Sequence, residues 1–127
     1  LEERKREAAG RRSAQASRVF AWEERLLALG SGENLPADTS GVLIAHVRNA
    51  SDQAIYDLEY RWLIADRPHP YNTSRINHPL GPGEEYKVEF RCPPDKGLDR
   101  FSVAVFFHDA FGIPWLRRPN GDLEEES

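Results

Sequence analysis

Cysteine is nearly absent. Cys92 stands alone in 127 residues, so neither an intrachain disulfide nor a cysteine-based zinc site can form. Methionine is missing altogether. A natural translation product that kept its start would carry one, so a segment upstream of Leu1 is expected. No run approaches the roughly 20 apolar residues of a membrane span, and no signal-peptide core is present. The signatures of catalysis are missing too. There is no GxSxG-type elbow for a serine nucleophile, and no glycine-rich loop opens a helix to cradle phosphate. The four histidines, His46, His69, His78 and His108, include no HxxxH-type spacing. Asp57 and Glu59 pair only as neighbours on an outward strand face, which solubility explains. No catalytic, metal or cofactor residue is therefore assigned, and an enzyme is not expected.

What is present is a rhythm of two. From Tyr56 to Trp62 the chain reads aromatic, acid, leucine, acid, aromatic, base, aromatic. A strand sends successive side chains to opposite faces, so Tyr56, Leu58, Tyr60 and Trp62 are expected inside. Asp57, Glu59 and Arg61 then face water, because three charges are not buried unpaired. Tyr86, Val88, Phe90 and Cys92 alternate with Glu85, Lys87, Glu89 and Arg91, and Phe101, Val103, Val105 and Phe107 repeat the pattern. Strands with one apolar side predict an all-β, antiparallel sandwich or barrel; the reading adopted is a sandwich of six to seven strands. Cys92 shares the inward parity and reads as a small buried hydrophobe.

Residues 1–18 are different in kind. They hold six basic side chains (Arg4, Lys5, Arg6, Arg11, Arg12, Arg18) and three acidic ones (Glu2, Glu3, Glu7). Of 17 basic and 21 acidic residues overall, 11 and 18 remain beyond this segment, a net of −7. Alanine, arginine and glutamate favour helix, and Glu2/Arg6 and Glu7/Arg11 have i,i+4 spacing. Residues 1–17 are accordingly read as a charged helix, the end of a stalk. Residues 18–29 are open to two readings. Val19, Trp22, Leu26 and Leu29 recur at helical spacing, yet Arg18–Trp22 also suits a strand, and a first strand is needed; the reading adopted is strand to about Arg25. Residues 30–41 are loop by composition.

Strands follow at Val42–Arg48, Ile55–Ile64, Glu85–Cys92, Arg100–His108 and Ile113–Arg118, the last at an edge because of Pro114. A short edge strand near Ser74–Asn77 is optional within the proline-bearing loop 65–83. Asn49–Gln53, Gly81–Gly83, Asp109–Gly112 and Pro119–Asp122 are turns. Residues 18–123 form the domain, and the acidic tail 124–127 is expected to fray.

The order of a charged helix, RVFAW, VLIAHVRNASDQAIYDL, a GPGE turn and FFHDAFGIPWLRRPNGDL resembles the C-terminal domain of uncharacterised actinobacterial proteins. The resemblance implies an immunoglobulin-like sandwich behind an upstream membrane helix and a charged coiled segment. It brings no activity, since these motifs encode turns and core positions. With a span upstream, the Lys/Arg excess of residues 1–18 would place the domain in the cytoplasm, tethered to the membrane.

Some residues break the polar parity or project outward. Ile55, Leu63, Phe106 and Phe111 are the candidate partner surface. His46 reads as an exposed strand histidine, and Asp109 as a bond acceptor for turn backbone. Asn49 and Asn72 begin glycosylation-type tripeptides, although the turn explains Asn49. Inward aromatics and an acidic domain argue against nucleic acid. The expected function is a non-catalytic protein-interaction or structural module at the end of a helical stalk. One alternative is self-association driven by the N-terminal helix. Another is a small-ligand or carbohydrate module using Tyr71 and Phe111.

Overall fold

The computed structural model describes residues 13–27 and 40–126. The charged segment before Ser13, with most of the expected stalk, lies outside the described residues, as does most of the 30–41 loop. Residues 13–16 are helical. Strands β1 (Val19–Leu27), β2 (Gly41–Asn49) and β5 (Glu85–Cys92) form one antiparallel sheet in the order β1-β2-β5. Strands β3 (Tyr56–Ile64), β4 (Asn72–Arg75), β6 (Phe101–His108), β7 (Pro114–Arg117) and β8 (Leu123–Glu125) form the second, ordered β4-β3-β6-β7-β8. The fold is a β-sandwich. Eight strands are described where six or seven were expected; β4 is the optional edge strand, set two residues earlier than Ser74–Asn77, and β8 is the addition. No helix among the described residues is long and apolar enough to cross a membrane.

The two-residue rhythm builds the core. Leu43, Ala45 and Val47 of β2 face Phe101, Val103, Val105 and Phe107 of β6, all buried. Trp62 stacks on Phe90 across the sandwich at 5.0 Å, and Tyr60 lies 6.2 Å from Trp62. Their polar tips are satisfied, as buried aromatic donors require. The Tyr60 hydroxyl donates to the Tyr86 carbonyl at 2.9 Å, and Trp62 Nε1 donates to Ser74 Oγ at 3.0 Å. Burial raises the Tyr60 phenol above its ordinary range. Cys92 is buried, and burial pushes its thiol up despite nearby Arg25.

Residues 19–27 settle as strand. β1 pairs with β2 without interruption from Val19 opposite Asn49 to Leu27 opposite Gly41. A helix would have put Val19 and Trp22 on one face; here Val19 is 1% exposed and Trp22 41%. Tertiary pairing overrides the helical spacing. Gly41 starts β2 because a Cβ there would come within 2.7 Å of the Leu26 carbonyl.

The parity of β3 needs correction at its start. Register with β6 shifts between Tyr56 and Glu59, so Asp57 and Leu58 together oppose Phe107. Asp57 takes φ 55°, the left-handed conformation of a bulge residue. The extra residue turns Tyr56 out to 42% exposure and turns Ile55 fully inward, where it bridges Leu80. Glu59 keeps its outward side but is buried, held between Arg61 and Arg75 at 3.4 Å each.

The turns form where composition places them. Gly112 has φ 81° and donates to the Asp109 carbonyl at 3.0 Å. Asp109, buried, accepts from the Phe111 and Ile113 amides and from Trp115 Nε1 at 2.9, 2.9 and 3.0 Å. Asn49 is also buried; its Nδ2 donates to the Gln53 and Leu80 carbonyls, and its Oδ1 accepts from Ser51. Residues 124–126 of the acidic tail are paired with the domain. Glu124 and Glu125 extend β8 along β7, Glu126 reaches Arg61 at 2.8 Å, and Glu124 reaches Arg118 at 2.5 Å. β7 is therefore not an edge, and Pro114 is tolerated as the first residue of its strand.

The helical end docks by two side chains that no motif announces. Gln15 Nε2 donates to the carbonyls of Gln53 and Ala54 and to Ser51 Oγ, while its Oε1 accepts from the Ala110 amide. Arg117 Nη2 donates to the carbonyls of Ala16 and Val19 at 3.3 and 2.8 Å. Burial alone lowers the Arg117 pKa.

Candidate functional site

The second sheet does not assemble the surface expected from the sequence. Ile55 belongs to the core. Leu63 and Phe106 lie on the outer face of β3 and β6, both half-buried. The Arg61 guanidinium sits 4.7 Å over the Phe106 ring and is fixed by Glu59 and Glu126. These two carboxylates raise the Arg61 pKa against an opposing desolvation. A polar roof covers what apolar surface this face has. Phe111 is 75% exposed at the β6–β7 hairpin tip, beside Gln15 and the Ser51–Gln53 turn, and remote from Leu63. Ile55, Leu63, Phe106 and Phe111 do not form one patch.

Tyr71 and Phe111 are separated as well. Tyr71 packs edge-on against Phe101 at 5.4 Å, at the start of β6, while Phe111 follows the end of that strand. A sugar stacking on both would have to span the sandwich.

The first sheet presents a different face. On β1 the outward parity carries Phe20, Trp22, Glu24 and Leu26, and β2 sets Arg48, His46, Ile44 and Val42 opposite them. Phe20, Trp22 and Leu26 are 50%, 41% and 40% exposed. With aromatic side chains offering roughly 150–250 Å² each, the row leaves on the order of 250 Å² of apolar surface in water. Covering it would contribute about 6 kcal/mol gross. Scattered exposed hydrophobics need no explanation, but a row along one strand does.

His46 fixes the middle of this row. It lies on the outward side, as expected, but is shielded rather than exposed, with 11% of its side chain accessible. Its ring stacks on Trp22 at 5.0 Å with parallel planes. Its Nε2 lies 2.5 Å from Glu24 Oε1 and its Nδ1 3.5 Å from Glu85 Oε1. The imidazole thus holds Trp22 flat against the sheet and ties the edge strand to β5.

The edge of β1 is open among the described residues, since only β2 pairs with it. The Arg18 carbonyl accepts from the Ala50 amide, whereas that of Val19 accepts from Arg117. Backbone groups alternate sides along a strand, so the odd residues Ala21, Glu23 and Arg25 aim their N–H and C=O away from β2. On the inner side Arg25 donates to the Leu98 and Phe101 carbonyls and to Glu23.

Two clefts lie on the second sheet. One, of about 500 Å³, opens at the bulge between Asp57, Glu59, Arg75 and His78. Asp57 Oδ2 stands 3.0 Å from His108 Nδ1, but no serine, threonine or cysteine lines the cleft and Glu59 is committed to two arginines. The other, of about 600 Å³, is rimmed by Arg61, Arg67, Arg100 and Arg118 over Leu63 and Leu116; Glu126 and Glu124 neutralise two of these arginines. His69 and His78 are apart from any ligand set, and no three His, Cys, Asp or Glu side chains converge among the described residues.

Sequence reasoning missed Phe20 and Leu26 because it left residues 18–29 between helix and strand. The signal was there: read at period two, Phe20, Trp22 and Leu26 share a side. A scan against known protein families finds no match to this chain, and a search of curated proteins finds none either.

Proposed function

We propose that this chain is a non-catalytic protein-interaction module that docks its partner on the outer face of β1 and β2. The reading rests on one observation: three large apolar side chains share the outer side of a strand whose second edge is open among the described residues. An immunoglobulin-like description, a helical stalk before Ser13 and a membrane tether on the cytoplasmic side belong to the same proposal. Support for these comes from the resemblance and from the basic excess of residues 1–18. The module would be held at the membrane by an upstream segment and take no part in chemistry.

Photo-crosslinking in the native host tests it. A photoreactive residue at Phe20 should give one discrete protein adduct, and one at Lys87, on the far strand of the same sheet, should give none. Equal labelling from both positions, or no adduct from either, would count against a docking face on β1.

A further inference from the structure

Of the sheet edges described, one is less protected than the others. β4 and β8 are short, at four and three residues, and β8 carries Glu124 and Glu125. β5 carries Lys87 and Arg91 among alternating charges. These are the devices by which proteins keep sheet edges from pairing. β1 also carries charges, but Glu23 pairs with Arg25 and Glu24 with His46 of its own sheet. Its nine residues, VFAWEERLL, contain no proline, lysine or glycine, and its register with β2 has no bulge.

We infer that β1 pairs antiparallel with β1 of a second copy of this chain, about a two-fold axis at Glu24. The inference rests on the reading of this sheet as the docking surface, and it names the occupant. A two-fold axis through an antiparallel pair sets residues with a constant number sum opposite each other. Centred on Glu24, Trp22 meets Leu26 of the second copy, and Glu23 meets its Arg25. Both pairs occur twice by symmetry. Glu23 and Arg25 point their backbone groups to the open edge, so these residues exchange the ladder hydrogen bonds while Trp22 and Leu26 close the apolar row.

Other registers fit less well. Centring on Glu23 opposes that carboxylate with itself on the inner side, and centring on Trp22 puts Phe20 against Glu24. In the chosen register Glu24 meets its own copy, but each Glu24 is already drawn back by His46 at 2.5 Å. The open length also agrees. Arg117 occupies the Val19 carbonyl, and Pro119 and Gly121 line a cleft with Ala21, Trp22 and Glu23, which confines pairing to the stretch from Trp22 to Leu26, its first residues beside that cleft.

Sedimentation of the full chain over about 1 to 500 µM, a range that brackets transient pairing, decides the matter. The chain should pass from monomer to dimer. Glu23→Pro removes an edge-facing amide that bonds nothing within the sheet, so it should fold and stay monomeric throughout. Lys87→Pro, the equivalent change on the β5 edge, should dimerise like the parent. Glu23→Lys alone and Arg25→Glu alone should each weaken the dimer about tenfold or more, and an equimolar mixture of the two should restore it as a heterodimer. A parent chain monomeric at every concentration, a Glu23→Pro dimer, or a mixture that stays monomeric would overturn the pairing. If the parent is monomeric while Phe20 still crosslinks to another protein, the docking face stands and only its occupant is wrong.

Discussion

Asp109 offers the sharpest test of how this fold holds its hairpin. Its two oxygens take the amides of Phe111 and Ile113 and the indole N–H of Trp115, at 2.9, 2.9 and 3.0 Å. Hydrogen bonds to a charged acceptor contribute about 1.5–3 kcal/mol each, and a buried donor left unpaired costs about 1–3 kcal/mol. In Asp109→Ala the hairpin amides can turn to water, but Trp115 Nε1 cannot, because Trp115 is buried. The expected loss is therefore about 3–5 kcal/mol, a large part of the 5–15 kcal/mol typical of a domain. At roughly 3–5 °C per kcal/mol for this chain length, Tm should fall by about 10–20 °C. Asp109→Asn should lose less, since it keeps one acceptor oxygen for the amides and sets a second donor against Trp115. Urea titration followed by near-ultraviolet circular dichroism reads both variants. A loss below about 1 kcal/mol for Asp109→Ala would refute the three-donor clasp.

Other expectations follow from the same contacts. Gln15→Ala should cost about 1–2 kcal/mol in chemical denaturation, as its amide joins the helical end to both the Ser51–Ala54 turn and Ala110; a neutral result would mean the helical end is not docked. Cys92 should react slowly with a thiol reagent in the native state and rapidly in urea, because burial keeps the thiol protonated and covered. Equal rates would place it outside the core. The Glu124 carboxyl is held below its ordinary range by its hydrogen bond to Arg118. A depressed carboxylate stabilises above its unfolded pKa and loses that contribution as pH falls through the folded value. Amide signals of β8 should therefore broaden on acidification before those of β6 do. Simultaneous loss would show that β8 is not held by this pair. Removing residues 1–12 should leave the sandwich folded by circular dichroism, and a chain starting at Ser13 that still dimerises would separate edge pairing from assembly by the helix.

Much of the fold was legible because burial on one side of a strand imposes a period of two. Leu43 to Val47, Tyr86 to Cys92 and Phe101 to Phe107 all face inward as their alternation requires. Turn chemistry was equally plain at Gly112 and Gly121, whose positive φ angles suit glycine. Bulges leave no such mark. Asp57 adds one residue to β3, and that alone sends Ile55 into the core and Tyr56 into water. The short strand β8 was hidden because its acidic side chains read as a solvated tail; pairing with Arg118 across the turn and with Arg61, distant in sequence, holds them. The candidate surface failed for a related reason. Parity within one strand tells which side a residue faces, but whether that side is covered depends on cross-strand partners such as Arg61 over Phe106. Trp22 was obscured differently, by a segment whose apolar spacing satisfies two periods at once.

The tryptophans can adjudicate whether β1 turns its apolar row to solvent. Trp22 is 41% exposed, whereas Trp62 and Trp115 are 0% and 6% exposed and donate their indole N–H groups to Ser74 and Asp109. In a nuclear magnetic resonance spectrum recorded with a soluble paramagnetic agent on dilute protein, one indole signal should broaden strongly, and Trp22→Phe should remove it. If that signal is instead as protected as those of Trp62 and Trp115, the row is covered, and no docking face exists on the first sheet.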